Sequence, residues 1–153
     1  MKKSAGILLF KRAHSGILVL LVHPGGPFWK NKDAGSWSVP KGEFTDEEDP
    51  LDAAIREFEE ETGTHVDGEF TPLTPVKLKS GKVIYAWACE QDLDTDSISS
   101  NEFEMEWPPK SGLLKSFPEV DRAEWFPIDM ALQKITAAQG NLIVELAQKL
   151  SQS

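Results

Sequence analysis

The chain has one cysteine, Cys89, and one tyrosine, Tyr85, in 153 residues. A lone cysteine excludes an intramolecular disulfide and a cysteine-built zinc site. Long apolar runs are also missing, and nothing approaches the roughly 20 residues of a membrane span. The apolar run A-G-I-L-L-F at 5–10 is too short for a signal peptide and ends at once in Lys11 and Arg12. Positive charge is scarce, with 16 Lys and Arg against 25 Asp and Glu and a net charge of −9. That balance argues against nucleic acid as a partner, because phosphate backbones select basic surfaces. A small anionic substrate stays open if a metal ion or local lysines reverse the field. The expectation is a cytoplasmic monomer or homodimer without a membrane segment.

What is present suits a folded chain: 40% hydrophobic and 27% charged residues make disorder a poor reading. Residues 1–153 read as one domain. Short β-rich runs at 5–10 and 17–23 flank the turn H-S-G, and 24–36 reads as a loop. W-S-V-P at 37–40 reads as a short strand. Asp49 is the expected N-cap of a helix that begins at Pro50 and stops at Gly63, with Leu51, Ala54, Ile55, Phe58 and Thr62 as its buried stripe. Strands are expected around 70–78, at 82–89 and at 123–126, with an irregular insertion at 100–118. Helices are expected from about 128 and over 141–150. This order implies an α/β fold, a mixed sheet between helices.

The helix carries R-E-F-E-E-E at 56–61. Like charges three and four apart on a helix repel. With Leu51 at zero and about 100° per residue, Glu57, Glu60 and Glu61 lie at about 240°, 180° and 280°, whereas Glu59 lies at about 80°. Three carboxylates therefore share one side and Glu59 stands apart. Hard oxygen ligands at this spacing suit Mg²⁺ or Mn²⁺. An exposed glutamate-rich helix face is the simpler reading of the same residues. Arg56, near about 140° on the same wheel, is within reach of Glu60 and Asp52.

The stretch G-E-F-T-D-E-E-D-P-L-D-A-A-I-R-E-F-E-E-E-T-G-T at 42–64 resembles the Nudix box through Gly42, Glu48, Arg56, Glu57, Phe58, Glu60, Glu61 and Gly63. Thr64 departs from the aliphatic residue usual there. The resemblance implies a Nudix-type α/β/α sandwich. It also implies an enzyme that cleaves a nucleoside diphosphate linked to a group X, by water attack on phosphorus with divalent metal. Glu57, Glu60, Glu61 and the Gly42 carbonyl would then hold the metal. Glu57 is the first choice as base, with an outside glutamate as the other option. Glu102, Glu104, Glu106 and Glu119 are candidates, and Glu106, next to Trp107, is preferred. Glu48 would support the loop and Arg56 would brace the glutamates.

For the substrate, S-W-S-V-P-K-G resembles the dinucleoside polyphosphate and diphosphoinositol polyphosphate branches, with Lys41 reaching a phosphate chain. Lys30, Lys32 and Lys110 could add positive charge. K-V-I-Y-A-W at 82–87 is similar to a tyrosine-bearing strand of diadenosine tetraphosphate hydrolases, which makes Tyr85 a candidate adenine platform; a half-buried core tyrosine is an equal reading. Trp29, Trp37 and Trp107 fall in expected loops and are candidates for stacking on a purine. P-G-G-P-F-W, F-E-M-E-W-P-P-K-S-G and F-P-E-V-D-R-A-E-W-F resemble a bacterial Nudix group expected to act as NTP pyrophosphohydrolases. The expected activity is therefore a Mg²⁺-dependent pyrophosphohydrolase of dinucleoside polyphosphates or NTP-like nucleotides. The alternatives are a sanitising hydrolase of modified dNTPs and a non-catalytic nucleotide-binding module.

Overall fold

A computed structural model describes residues 2–152. Its centre is strand β1 (Lys3–Ala13), buried from Ser4 to Phe10. β2 (Gly16–Pro24) returns antiparallel from the H-S-G turn, pairing Phe10 with Val19 and Ala13 with Gly16. Beyond that the two strands diverge, and residues 38–44 enter the gap. Ser38 and Val22 exchange backbone bonds of 3.0 and 2.9 Å, and β3 (Lys41–Phe44) pairs antiparallel with Lys3–Gly6. Gly6 permits this approach, since a Cβ there would meet the Pro40 carbonyl and the Lys41 Cβ. The expected strand at 37–40 is thus only a pair of isolated bridges, and regular pairing begins at Lys41.

On its other edge β1 runs parallel to β6 (Val83–Glu90), which carries the two short strands β4 (Thr71–Pro72) and β5 (Val76–Lys77). β9 (Val120–Pro127) lies outside β2, giving the order β4-β6-β1-β2-β9. Alternation along the central strands sends side chains to two cores. Ala5, Ile7, Leu9, Leu20 and Val22 pack with Phe58 of helix α1 (Pro50–Thr62). Leu8, Phe10, Val19 and Leu21 pack on the opposite face, with Ala131 of α2 (Ile128–Lys134) and Leu142 and Leu146 of α3 (Gly140–Ser151). The result is the expected α/β/α sandwich around a mixed sheet.

α1 starts and stops as its sequence demands. The Asp49 carboxylate accepts the Asp52 N–H at 3.1 Å, Pro50 fills the first turn, and Gly63 closes the helix at φ 77°. Its buried face is rotated from the expected stripe: Ala53, Ala54, Glu57, Phe58 and Thr62 are buried, while Leu51 and Ile55 are half-buried. The methyl side chain of Ala53 allows close approach to the sheet, and Glu57 is drawn inside.

Residues 100–118 correct an expectation. In place of an irregular insertion, β7 (Glu102–Glu106) and β8 (Leu114–Pro118) form an antiparallel hairpin, with Phe103 opposite Phe117. E-F-E-M-E alternates with period two, the glutamates exposed and Phe103 and Met105 half-buried. The prolines and glycine of 108–112 belong to its turn and hide that alternation in the sequence.

Candidate active site

The wedge of 38–44 between the diverging strands sets Gly42 against the acidic side of α1. A Cβ on Gly42 would overlap the Glu57 carboxylate, so only glycine lets this buried acid lie on the backbone. Arg56 organises the remaining glutamates. Its Nη2 donates to Glu48 Oε1 and Oε2 at 3.1 and 3.0 Å, Nε donates to Glu48 Oε2 at 3.2 Å, and Nη1 donates to Glu57 and Glu60 at 2.9 and 3.2 Å. Such forked contacts fix geometry as well as charge. The arginine therefore braces Glu57 and Glu60 as expected, but its third partner is Glu48, eight residues earlier, in place of Asp52. Glu59 is exposed, outside this cluster, with His65 Nδ1 3.1 Å away.

Glu61 lines a cleft of about 110 Å³ with Val22, Pro24, Ser38, Val39, Lys41, Glu119 and Val120. The Lys41 backbone N–H donates to its Oε1 at 3.3 Å. Burial pushes the Glu61 carboxyl up to about 8, the Lys41 ammonium and N–H oppose this, and Glu119 and Glu57 add to it. Burial also raises Glu57 and Glu119, each pushed further by Glu60. Burial lowers the Lys41 ammonium against the pull of Glu61.

Glu119 is the outside carboxylate that reaches this cluster. Two backbone bonds hold it: its carbonyl accepts from Gly25 N–H at 2.9 Å, and its N–H donates to Asn101 at 2.8 Å. Glu106, preferred from the sequence, lies in the hairpin and does not line the Glu61 cleft. Its carboxylate accepts the backbone N–H groups of Lys110 and Gly112 at 2.8 and 3.2 Å, closing the hairpin turn. Adjacency to Trp107 carried no spatial information. Glu102 and Glu104 are exposed on the same strand.

The other candidates spread out. Trp37 is 1% exposed, donates Nε1–H to Asp33 at 2.8 Å and packs edge-on against Phe126. It is a core residue with no face for a purine, which corrects its assignment. Trp29 is 39% exposed, under the Lys32 ammonium at 5.1 Å. Trp107 meets Phe28 edge-on at 5.7 Å. Lys110 sits in the hairpin turn at φ 63°, and Lys30 is exposed in the loop after β2. Tyr85 is half-buried against Phe44. Strand register puts Gly6, Lys41 and Ala86 in one row and Ala5, Gly42 and Tyr85 in the next. Tyr85 and Lys41 therefore point to opposite faces of the sheet, and Lys41 alone of these substrate candidates lines the cleft beside Glu61.

Among the described residues no three His, Cys, Asp or Glu side chains already converge on one ion position; the Arg56 guanidinium stands between Glu57 and Glu60. The donor set nevertheless fits a divalent cation. It is all oxygen and partly buried, and beyond burial Glu60 raises the Glu57 carboxyl and Glu57 adds to the rise of Glu61. The Gly42 cradle holds Glu57 where a larger residue would not fit.

The NUDIX domain model matches residues 1–146. An Ap4A hydrolase of C. elegans, solved as a binary complex, superposes with a TM-score of 0.69 at 20% identity, covering 100% of both chains. The NUDIX domain of Shewanella oneidensis NrtR, complexed with ADP ribose, gives 0.63 at 20% identity over 96% of this chain and 86% of that one. An octanoyltransferase of Myxococcus xanthus is 31% identical over 101 residues, 66% of this chain and 25% of that protein, so the match spans a quarter of the relative's length. The structural likenesses concern the fold; the family match, with the box residues gathered around Gly42 and Arg56, establishes that the chain belongs to the Nudix hydrolase family.

Proposed function

We propose that the protein is a Mg²⁺- or Mn²⁺-dependent pyrophosphohydrolase. It would cleave nucleoside diphosphates linked to a group X, with dinucleoside polyphosphates such as diadenosine tetraphosphate as the first substrates to test. The carrying observation is the gathering of Glu57, Glu60, Glu61 and Glu119 near Lys41, with the Glu61 carboxyl pushed up to about 8 chiefly by its burial and further by Glu119 and Glu57. Glu57, Glu60, Glu61 and the Gly42 carbonyl would hold the metal. When bound, a divalent cation would screen phosphate charge and lower the pKa of a water molecule.

The chain's own residues divide the rest. The Lys41 ammonium, partly desolvated beside Glu61, would take a phosphate oxygen. Glu119 is assigned the proton of the attacking water, because Glu57 is already ion-paired with Arg56 and packed on Gly42. A new P–O bond forms from water as the bridging P–O bond breaks, leaving a nucleoside monophosphate and phosphorylated X. The Ap4A hydrolase likeness supports this substrate class through fold, and the NrtR domain's ADP ribose marks a second nucleotide diphosphate worth including.

The test is product analysis across a nucleotide panel with Mg²⁺ in H₂¹⁸O. Diadenosine tetraphosphate should be cleaved with one ¹⁸O in a product phosphate, and Glu119→Gln should flatten the basic rise of the kcat profile. Turnover of oxidised dNTPs alone would replace the proposal by a sanitising enzyme. Tight ADP ribose binding without turnover would replace it by a binding module.

A further inference from the structure

Beyond Lys41, the sheet face opposite α1 carries charges that the carboxylate site does not use. Strand register sets Ser4 beside Glu43 of β3 and Ile84 of β6, with Gly6 and Lys41 in the next row. Ser4 is 1% exposed, and its hydroxyl has no hydrogen-bond partner. A buried hydroxyl is rarely left that way. On the side of Ser4 away from Lys41, Lys2 and Lys82 each approach the Glu43 carboxylate at 3.9 Å. Glu43 is half-exposed, and at that distance it sits loosely between the two ammonium groups. Beyond Lys82 the row opens into a cleft of about 520 Å³ lined by Lys2, Lys77, Ser80, Gly81 and Lys82, with no acidic residue.

We infer that Lys41, Lys82 and Lys2, with the Ser4 hydroxyl in the row between them, form a track for an extended phosphoryl chain on the face opposite α1. From the Lys41 row to the Lys2 row is two same-face steps, about 13 Å of strand. One pyrophosphate does not span that length, so the substrate class is a nucleotide with several phosphates on the X side. Glu43 holds the anion position until a phosphoryl group displaces it. The inference rests on the hydrolase reading for its substrate, but its test does not need turnover.

Inorganic tripolyphosphate and pyrophosphate are titrated calorimetrically into metal-free protein. Tripolyphosphate should bind at least tenfold tighter than pyrophosphate. Lys82→Gln and Lys2→Gln should each weaken it three- to tenfold, and Ser4→Ala should weaken it with the circular dichroism spectrum retained. Glu43→Gln should tighten it, by removing the competing carboxylate. Lys115→Gln, in the hairpin, should leave it unchanged. Equal affinity for the two anions overturns the track, as does tripolyphosphate affinity indifferent to Lys2 and Lys82. Lysine-dependent binding in a protein that hydrolyses no nucleotide would uphold the track and refute the hydrolase. Turnover with lysine-independent binding would do the reverse.

Discussion

Replacing Glu61 by glutamine should remove a proton from the metal-binding reaction. With its carboxyl pushed up to about 8 by burial, Glu61 is protonated in roughly nine molecules of ten at pH 7. A divalent cation ligated by this carboxylate must displace that proton. Isothermal titration of Mn²⁺ at pH 7, in two buffers of different ionisation enthalpy, should therefore count about 0.9 proton released, falling to about 0.1 at pH 9. In Glu61→Gln the difference between the two pH values should vanish, whatever small exchange Lys41 contributes to both proteins. The sign for stability runs the other way from the usual paired carboxylate. The folded pKa lies above the unfolded one, so the metal-free fold loses stability as pH rises from about 4.5 to about 8. The loss amounts to at most about 5 kcal/mol. Glu61→Gln should accordingly melt higher than the parent at pH 8 without metal, and the two should converge near pH 4.5. No proton release at pH 7, or release that persists in the glutamine variant, would refute the assignment of Glu61 as a buried ligand.

The separation of the glutamates predicts that Glu60→Gln lowers kcat by two orders of magnitude or more while Glu59→Gln, exposed beside His65, changes it less than twofold; equal losses would refute the face assignment. Phe58 is 0% exposed in the core beneath α1, so Phe58→Ala should cost about 3–5 kcal/mol in urea unfolding. Arg56→Lys keeps the charge but loses the fork on Glu48. Steady-state kinetics should show kcat falling at least tenfold, with Tm lowered by a few degrees.

The helix and the grouping of its glutamates were legible because both are local. Asp49, Pro50 and Gly63 mark the ends of α1, and the spacing of Glu57, Glu59, Glu60 and Glu61 follows from helical geometry alone. What the helix wheel missed was its own rotation. The apolar stripe was centred on Leu51, but the small side chain of Ala53 lets the helix roll toward β3, and Glu57 becomes a buried acid. Trp37 failed for a related reason. Local signals put it at the junction of the expected loop and the short strand expected at 37–40, yet that segment is wedged into the sheet, and its ring fills the core against Phe126. The hairpin at 102–118 was hidden by its turn, because Pro108, Pro109 and Gly112 outweighed the two-residue period of E-F-E-M-E.

Substrate residues were less legible because strand pairing, which no short spacing reveals, decides which side chains share a face. Tyr85 and Lys82 are three apart in one strand region, so they point to opposite sides of the sheet; no helix-like spacing argument could separate them. Register pairs Gly6 with both Lys41 and Ala86, which places Lys41 on Lys82's face and leaves Tyr85 with Phe44 on the other. Glu119 illustrates the same point across a longer stretch. Its position depends on backbone bonds to Gly25 and Asn101, which bring together the end of β2, the start of the hairpin and the end of β8. The sequence offered four outside glutamates and preferred Glu106 for its neighbour Trp107, whereas the closure of that three-way junction is what brings Glu119 to the cluster. A cut in this junction should therefore act on catalysis before stability. Gly25→Ala would drive a methyl into the Pro118 carbonyl and shift Glu119 away from Glu60 and Glu61, while both cores, which contain neither residue, stay packed.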